Sequence, residues 1–360
     1  MNDVLRTNLL SPVALSFALG IVAKAIRSEF SIPREMYQGI SIYLLFALGL
    51  HGGVELAKSS FDAMIWPAAV TIGIGLLVPM LCYGILRSIG KFSIADAAGI
   101  AAHYGSVSAV TFIAGEQFLK GAGFAPEGFM PTLLTLLETP GIHLALAVGA
   151  IGIAKQGVAA SARAKTTTPA AVGKAEVLLD GDYESDPANT GHALDWRATL
   201  HEILTARTMV LLVGGLIVGA LFGEQGWKPI APFYDTASPV FKGVLCLFLL
   251  EMGLLAGERL GDLKKVGPFL LGFGILFPIT CGAIGVYSGH LAGLSVGGSA
   301  LLGTMASSAS YIAAPPAVRV TLPEANPTFS LTLALVITFP FNILFGIPLY
   351  LRMAQMAAAW

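Results

Sequence analysis

The chain has 360 residues, 55% of them hydrophobic and only 12% charged, with a formal net charge of −1. A soluble domain carries about a quarter charged residues, so a soluble globular protein is excluded and an all-α polytopic membrane protein is expected. The near-neutral balance identifies no partner, and no nucleic-acid ligand is expected.

In chain order, ten apolar segments fall at residues 9–25, 37–56, 65–86, 94–118, 129–154, 209–222, 240–257, 266–291, 296–318 and 329–351. All but the shorter 209–222 are close to the ~20 residues that cross a hydrocarbon core roughly 30 Å thick. The first lacks a small-residue cleavage site and reads as a retained helix, with the mature chain starting near Met1. Cys82, Cys246 and Cys281 lie inside predicted spans, where a thiol is ordinary packing material. They imply neither a disulfide nor a metal framework.

Residues 155–206 form a linker. Its ARAKTTTPAAVGK and acidic DGDYESDP stretches read as solvated chain, and the Asp180 to Asp186 cluster lacks the glycine and closing glutamate of a calcium loop. The LDWRATLHEIL stretch that follows has helical apolar spacing and is expected to lie along the membrane surface. Of the 21 Lys and Arg, six (Arg6, Lys58, Lys120, Lys228, Lys242 and Arg352) fall on the N-terminal side and fifteen opposite. The positive-inside rule makes the linker cytoplasmic and both termini outward-facing.

Two stretches recur. GISIYLLFALGLHGGVEL matches GVLCLFLLEMGLLAGERL, so that Gly39, Gly49 and Gly53 return 204 residues later as Gly243, Gly253 and Gly257. Gly73, Gly75, Pro79 and Cys82 return 199 residues later as Gly272, Gly274, Pro278 and Cys281. Five spans per copy is an odd number, so the second copy enters the bilayer from the opposite face. The prediction is a five-plus-five inverted repeat, residues 1–154 and 207–360 flanking the 155–206 linker, as in many alternating-access transporters.

In such transporters ligands bind near the midplane, at discontinuous helices. The fourth span carries HYGSVSAVTF and the ninth MASSASYIAA, and at an offset of 202 Ser106 matches Ser308 and Ser108 matches Ser310. Paired hydroxyls beside Gly105 suit a ligand site; small residues also serve plain helix packing. Pro315 and Pro316 then either break the ninth helix beside a cavity or simply end it. Glu138 stands two residues before Pro140, and at an offset of 200 Thr338 stands two before Pro340. A carboxylate there is a ligand for Na+, a proton carrier, or a buried strut. Glu251 is a further mid-span acid, with Glu55 and Glu258 nearer the interface. His51, His103 and His143 read as satisfied interior or interface histidines, and Asn342 as an interhelical hydrogen bonder.

GSVSAVT at 105–111, LFLLEMGLLAGERL at 247–260 and SASYIAAPPAVRVTLPEANP at 308–327 resemble the sodium-dependent bicarbonate transporter family, in a non-cyanobacterial branch. The resemblance implies ten spans with core and gate subdomains, and broken, crossing fourth and ninth helices. It also implies a homotrimer in a bacterial inner membrane, sodium symport of bicarbonate into the cytoplasm, and, for cyanobacterial members, a PII-like regulator at the cytoplasmic face. On that basis Gly105, Ser106, Ser108, Ser308, Ser310 and Tyr311 are the substrate candidates. Glu138, Ser108, Ser308, Thr338 and Glu251 are the sodium candidates, with Na+ as coupling ion and no other cofactor. Cyanobacterial members carry an aspartate after the second serine cluster, where this chain has Tyr311. They carry another in the fifth helix, where it has Glu138. Transport of another small anion, coupled to sodium or protons, and a membrane sensor built on the same fold are the alternatives. No HExxH motif, supported Ser/His/Asp order or cofactor loop is present, so no enzyme is expected.

Overall fold

The computed structural model describes residues 9–138, 140–166, 205 and 207–359. Arg6, the acidic cluster and the LDWRATLHEIL stretch lie outside the described residues. Within them the chain is all-helical. The helices are α1 Pro12–Ala25, α2 Arg34–Lys58, α3 Phe61–Ser88, α4 Ile94–Tyr104, α5 Ala109–Gly121, α6 Met130–Glu138 and α7 Pro140–Thr166. They continue as α8 Arg207–Tyr234, α9 Pro239–Glu258, α10 Leu263–Leu291, α11 Val296–Ala306, α12 Ala314–Thr321 and α13 Pro327–Ala357. Among the described residues eight helical stretches are long and apolar enough to cross a membrane. The first and ninth predicted spans correspond to shorter apolar helices, α1 and α11.

Local sequence explains the boundaries. α1 and α9 both open on a serine cap followed by proline: Ser11 accepts from Ala14 N, and Ser238 from Phe241 N. The hydroxyl satisfies an amide that has no intrahelical partner, and proline fits the first turn because it has none to offer. α8 runs past the predicted end of the sixth span at Phe222, with a kink where Gly223 adopts φ 59°. α13 widens into π-helical turns at Thr332–Thr338 and Asn342–Gly346, on either side of Pro340.

The helices form two sets. α2 packs along α8 and α9 along α1, while α3 to α7 and α10 to α13 pack among themselves. The matched glycines set the first pattern. A Cβ on Gly49 would lie 2.9 Å from Gly215 Cα, and one on Gly253 2.9 Å from Gly20 Cα, so both helix pairs touch backbone to backbone. Gly39 and its match Gly243 both face open space. Gly75 lies against Leu137 and its match Gly274 against Ile337.

Two further contacts join the halves. The Asn326 amide donates to Asp96 Oδ1 over 2.8 Å, at the N-terminus of α4. The Ser295 amide, at the N-terminus of α11, donates to Glu127 Oε1 over 2.6 Å. Each carboxylate satisfies an amide at or beside a helix start, and both are placed where the helix dipole favours negative charge.

Candidate functional site

The fourth and ninth predicted spans are both interrupted. α4 ends at Tyr104, residues 105–108 are unwound, and α5 restarts with Ser108 as its cap, accepting from Thr111 N at 3.3 Å. α11 ends at Ala306, residues 307–313 are irregular, and α12 begins with Ala314, Pro315 and Pro316 in its first turn. Pro315 and Pro316 therefore start a helix after the break.

The two interruptions lie side by side and bond to each other. The Ser310 amide donates to the His103 carbonyl at 2.8 Å, and His103 Nδ1–H donates back to the Ser310 carbonyl at 2.7 Å. The Ser108 amide donates to Ser308 Oγ at 3.0 Å, and that hydroxyl donates to the Met305 carbonyl. The symmetric counterpart of the first serine contact, Ser310 amide to Ser106 Oγ, is not made, and Ser106 Oγ is buried without a partner. On the far side of the break the Asn342 amide group donates to the Ser307 carbonyl at 3.0 Å, and Tyr350 OH donates to Asn342 Oδ1 at 3.1 Å. Asn342 is thus the interhelical hydrogen bonder its sequence position predicts.

A small cavity of about 30 Å3 lies where the two helix sets meet. Ser41 of α2, Thr208 of α8 and Phe248 of α9 form one wall; Ser108, Glu138, Ser310 and Tyr311 form the other. A water-sized occupant needs ~10–15 Å3 by this measure, so the space suits about two such occupants or one small ion with a ligand atom. Glu138 Oε2, Tyr311 OH and Ser41 Oγ are buried there with no well-formed hydrogen bond. An unsatisfied buried polar group costs ~1–3 kcal/mol, more when charged, so three around one cavity mark a place that a polar ligand completes. The donors are all oxygens, the set that hard cations take.

A sequence profile of the Na+-dependent bicarbonate transporter superfamily matches residues 12–355. The chain belongs to that superfamily. None of the curated proteins matches it. It is a multi-pass membrane protein of a transporter family, and the family's Na+ dependence names the coupling ion.

In this superfamily member the predicted residues separate into groups. Ser108, Ser310, Tyr311 and Glu138 line the cavity together, and Ser308 stands behind Ser108. Gly105 packs against Gly141, and a Cβ there would lie 2.7 Å from the Gly141 carbonyl carbon. Ser106 is buried beside the cavity without lining it. Thr338 is elsewhere: it donates to the Gly274 carbonyl at 2.9 Å and accepts from Tyr104 OH at 2.6 Å. Pro278 has no amide to give that carbonyl, which lies four residues before it, so the threonine hydroxyl replaces the missing helical bond. Glu251 sits near Lys24, Glu258 and the Ile32 backbone, away from the cavity. Glu258 pairs with Lys24 and Glu55 with Lys58. His103 is held by Ser310, and the His51 ring lies against Trp227.

Ser41 and Thr208 were not expected. Ser41 is the single serine in the apolar run GISIYLLF, and the residue 204 positions later is Leu245, so comparing the halves passes over it. Thr208 stands one residue before the sixth predicted span.

Proposed function

We propose that the chain is a secondary active transporter that carries bicarbonate into the cytoplasm together with Na+, by alternating access. One observation carries the reading: a cavity at the seam of two helix sets, beside two helix breaks, into which Glu138 and Tyr311 bring buried polar atoms without well-formed hydrogen bonds. A site on such a seam opens to one face or the other when the sets move against each other.

In this reading Glu138 supplies the charged oxygen for Na+, with Ser108 and Ser308 as neutral neighbours. The anion lies against the N-terminus of α5, where free amides and the helix dipole hold negative charge without an arginine. Ser310 and Tyr311 contribute hydroxyls to it from the cavity wall, Ser106 stands buried beside that wall, and Gly105 permits the close backbone approach. Thr338 and Glu251 have no part in the set. The sequence offsets, the paired glycine contacts and the twofold occurrence of a carboxylate at an α4 or α11 start support the five-plus-five inverted repeat. The lysine and arginine distribution supports outward termini, and the family resemblance supports a bacterial inner membrane and a homotrimer.

The test is uptake of labelled bicarbonate into proteoliposomes. An inward Na+ gradient is expected to stimulate wild-type uptake several-fold and Glu138→Gln little; equal uptake with and without the gradient refutes the reading. Tyr311, a hydroxyl donor where an acid is expected, favours a second reading in which the cargo is another small carboxylate. Competition by formate and acetate against bicarbonate distinguishes the two.

A further inference from the structure

A groove of about 1110 Å3 opens at one end of the helix bundle and shares no lining residue with the cavity. The starts of α1 and α9 form one side and the ends of α5 and α13 the other, so both helix sets contribute. Its walls are apolar, with Pro12, Ala114, Phe118, Cys246, Ile343 and Phe345 among them. Phe345 and Met356 are 47% and 48% exposed, so the groove opens sideways, toward the space a bilayer would fill. Lys242 and Arg352 lie at its rim with Gln117 and Gln355.

The chemistry of that rim is one-sided. Among the described residues neither cation has a carboxylate within 4.0 Å, and α13 carries no acidic residue. Glu116 on α5 is occupied by Lys120. From Arg352 down to Ile343 is nine residues, about 13 Å of helix at ~1.5 Å each. That nearly matches half of a ~30 Å hydrocarbon core. The groove therefore has the depth of a single leaflet, with its charge at headgroup level.

We propose that this groove binds an anionic phospholipid, the phosphate between Lys242 and Arg352 and the acyl chains along Phe118 and Phe345. Charge complementarity selects the anionic headgroup, and the sideways opening selects a lipid over a soluble anion. Because the lipid would rest on both helix sets, its occupancy bears on how far they can separate.

The test measures bound lipid by native mass spectrometry after equilibrating purified protein with equal amounts of phosphatidylglycerol and phosphatidylethanolamine. About fivefold enrichment of phosphatidylglycerol is expected for each cation, up to about thirtyfold for both. Lys242→Ala with Arg352→Ala should bring the ratio near one, while Lys242→Arg with Arg352→Lys keeps the enrichment. Circular dichroism and monodisperse elution verify that each variant is folded. Equal binding of the two lipids by wild type overturns the proposal, as does undiminished enrichment in the folded double alanine variant. Disulfide cross-linking between copies through Phe345→Cys, unaffected by added phosphatidylglycerol, would assign the groove to a second copy and also overturn it.

Discussion

Replacing Gly105 with alanine isolates the closest approach behind the site. Gly105 has φ −78°, so its backbone accepts a side chain, and any penalty comes from packing alone. The new Cβ would lie 2.7 Å from the Gly141 carbonyl carbon, 2.8 Å from its oxygen and 3.0 Å from Pro79 Cβ. Ordinary contact begins near 3.4 Å, so the first turn of α7 must retreat by roughly 0.5–1 Å, and overpacking of this kind costs ~1–3 kcal/mol. That turn directly follows Glu138, which therefore shifts relative to Ser108 and Ser310. Displacements near 1 Å at a reacting site can cost ~100-fold; in a binding cavity of this size at least a tenfold fall in Na+-driven uptake is expected. The measurements are proteoliposome uptake and thermal unfolding in detergent, against Gly73→Ala, whose Cβ would meet nothing within 4 Å. Gly73→Ala should stay within about 0.5 kcal/mol of wild type. If Gly105→Ala transports and unfolds as wild type does, the contact reasoning is wrong.

Other substitutions separate scaffold from site. Thr338→Val leaves the Gly274 carbonyl unpaired and Tyr104 OH without its acceptor, so a loss of ~1–3 kcal/mol in unfolding is expected, with the Na+ concentration for half-maximal uptake unchanged. A weakened Na+ response at native stability would return Thr338 to the ion site. Ser108→Ala removes both the cap of α5 and a cavity hydroxyl; about 0.5–2 kcal/mol of stability should go, and uptake should fall more than in Ser108→Thr, which keeps an acceptor. Glu138→Gln preserves shape and should leave the unfolding temperature close to wild type while Na+ stimulation disappears; retained stimulation would reduce Glu138 to a strut.

Much of this molecule is legible in its sequence, because hydrocarbon enforces a simple grammar of apolar length and small-residue contact. The 204-residue offset already pairs Gly49 with Gly253, and both prove to be backbone contact points. The serine matches locate the two breaks. What the offsets miss is the use to which a matched residue is put. Thr338 mirrors Glu138 along the chain, yet its hydroxyl is engaged by a carbonyl that Pro278 leaves free, a fact that exists only once α10 and α13 are side by side. Ser310 mirrors Ser108, yet its amide goes to His103 and strands Ser106. Ser41 reaches the cavity from a helix whose partner copy has leucine at that place. Pairwise likeness finds the matched breaks; the partners of each side chain appear only once the helices are packed.

The carboxylates at the starts of α4 and α11 bear on how the two halves recognise each other. In one contact the acid, Asp96, belongs to the broken helix, and in the other the acid, Glu127, belongs to the loop that meets it. Both acids therefore reside in the first half. In both contacts the N-terminal half gives the acid and the C-terminal half the amide, so the two halves are complementary rather than interchangeable there. Expressed as separate chains, they should seek each other and not themselves.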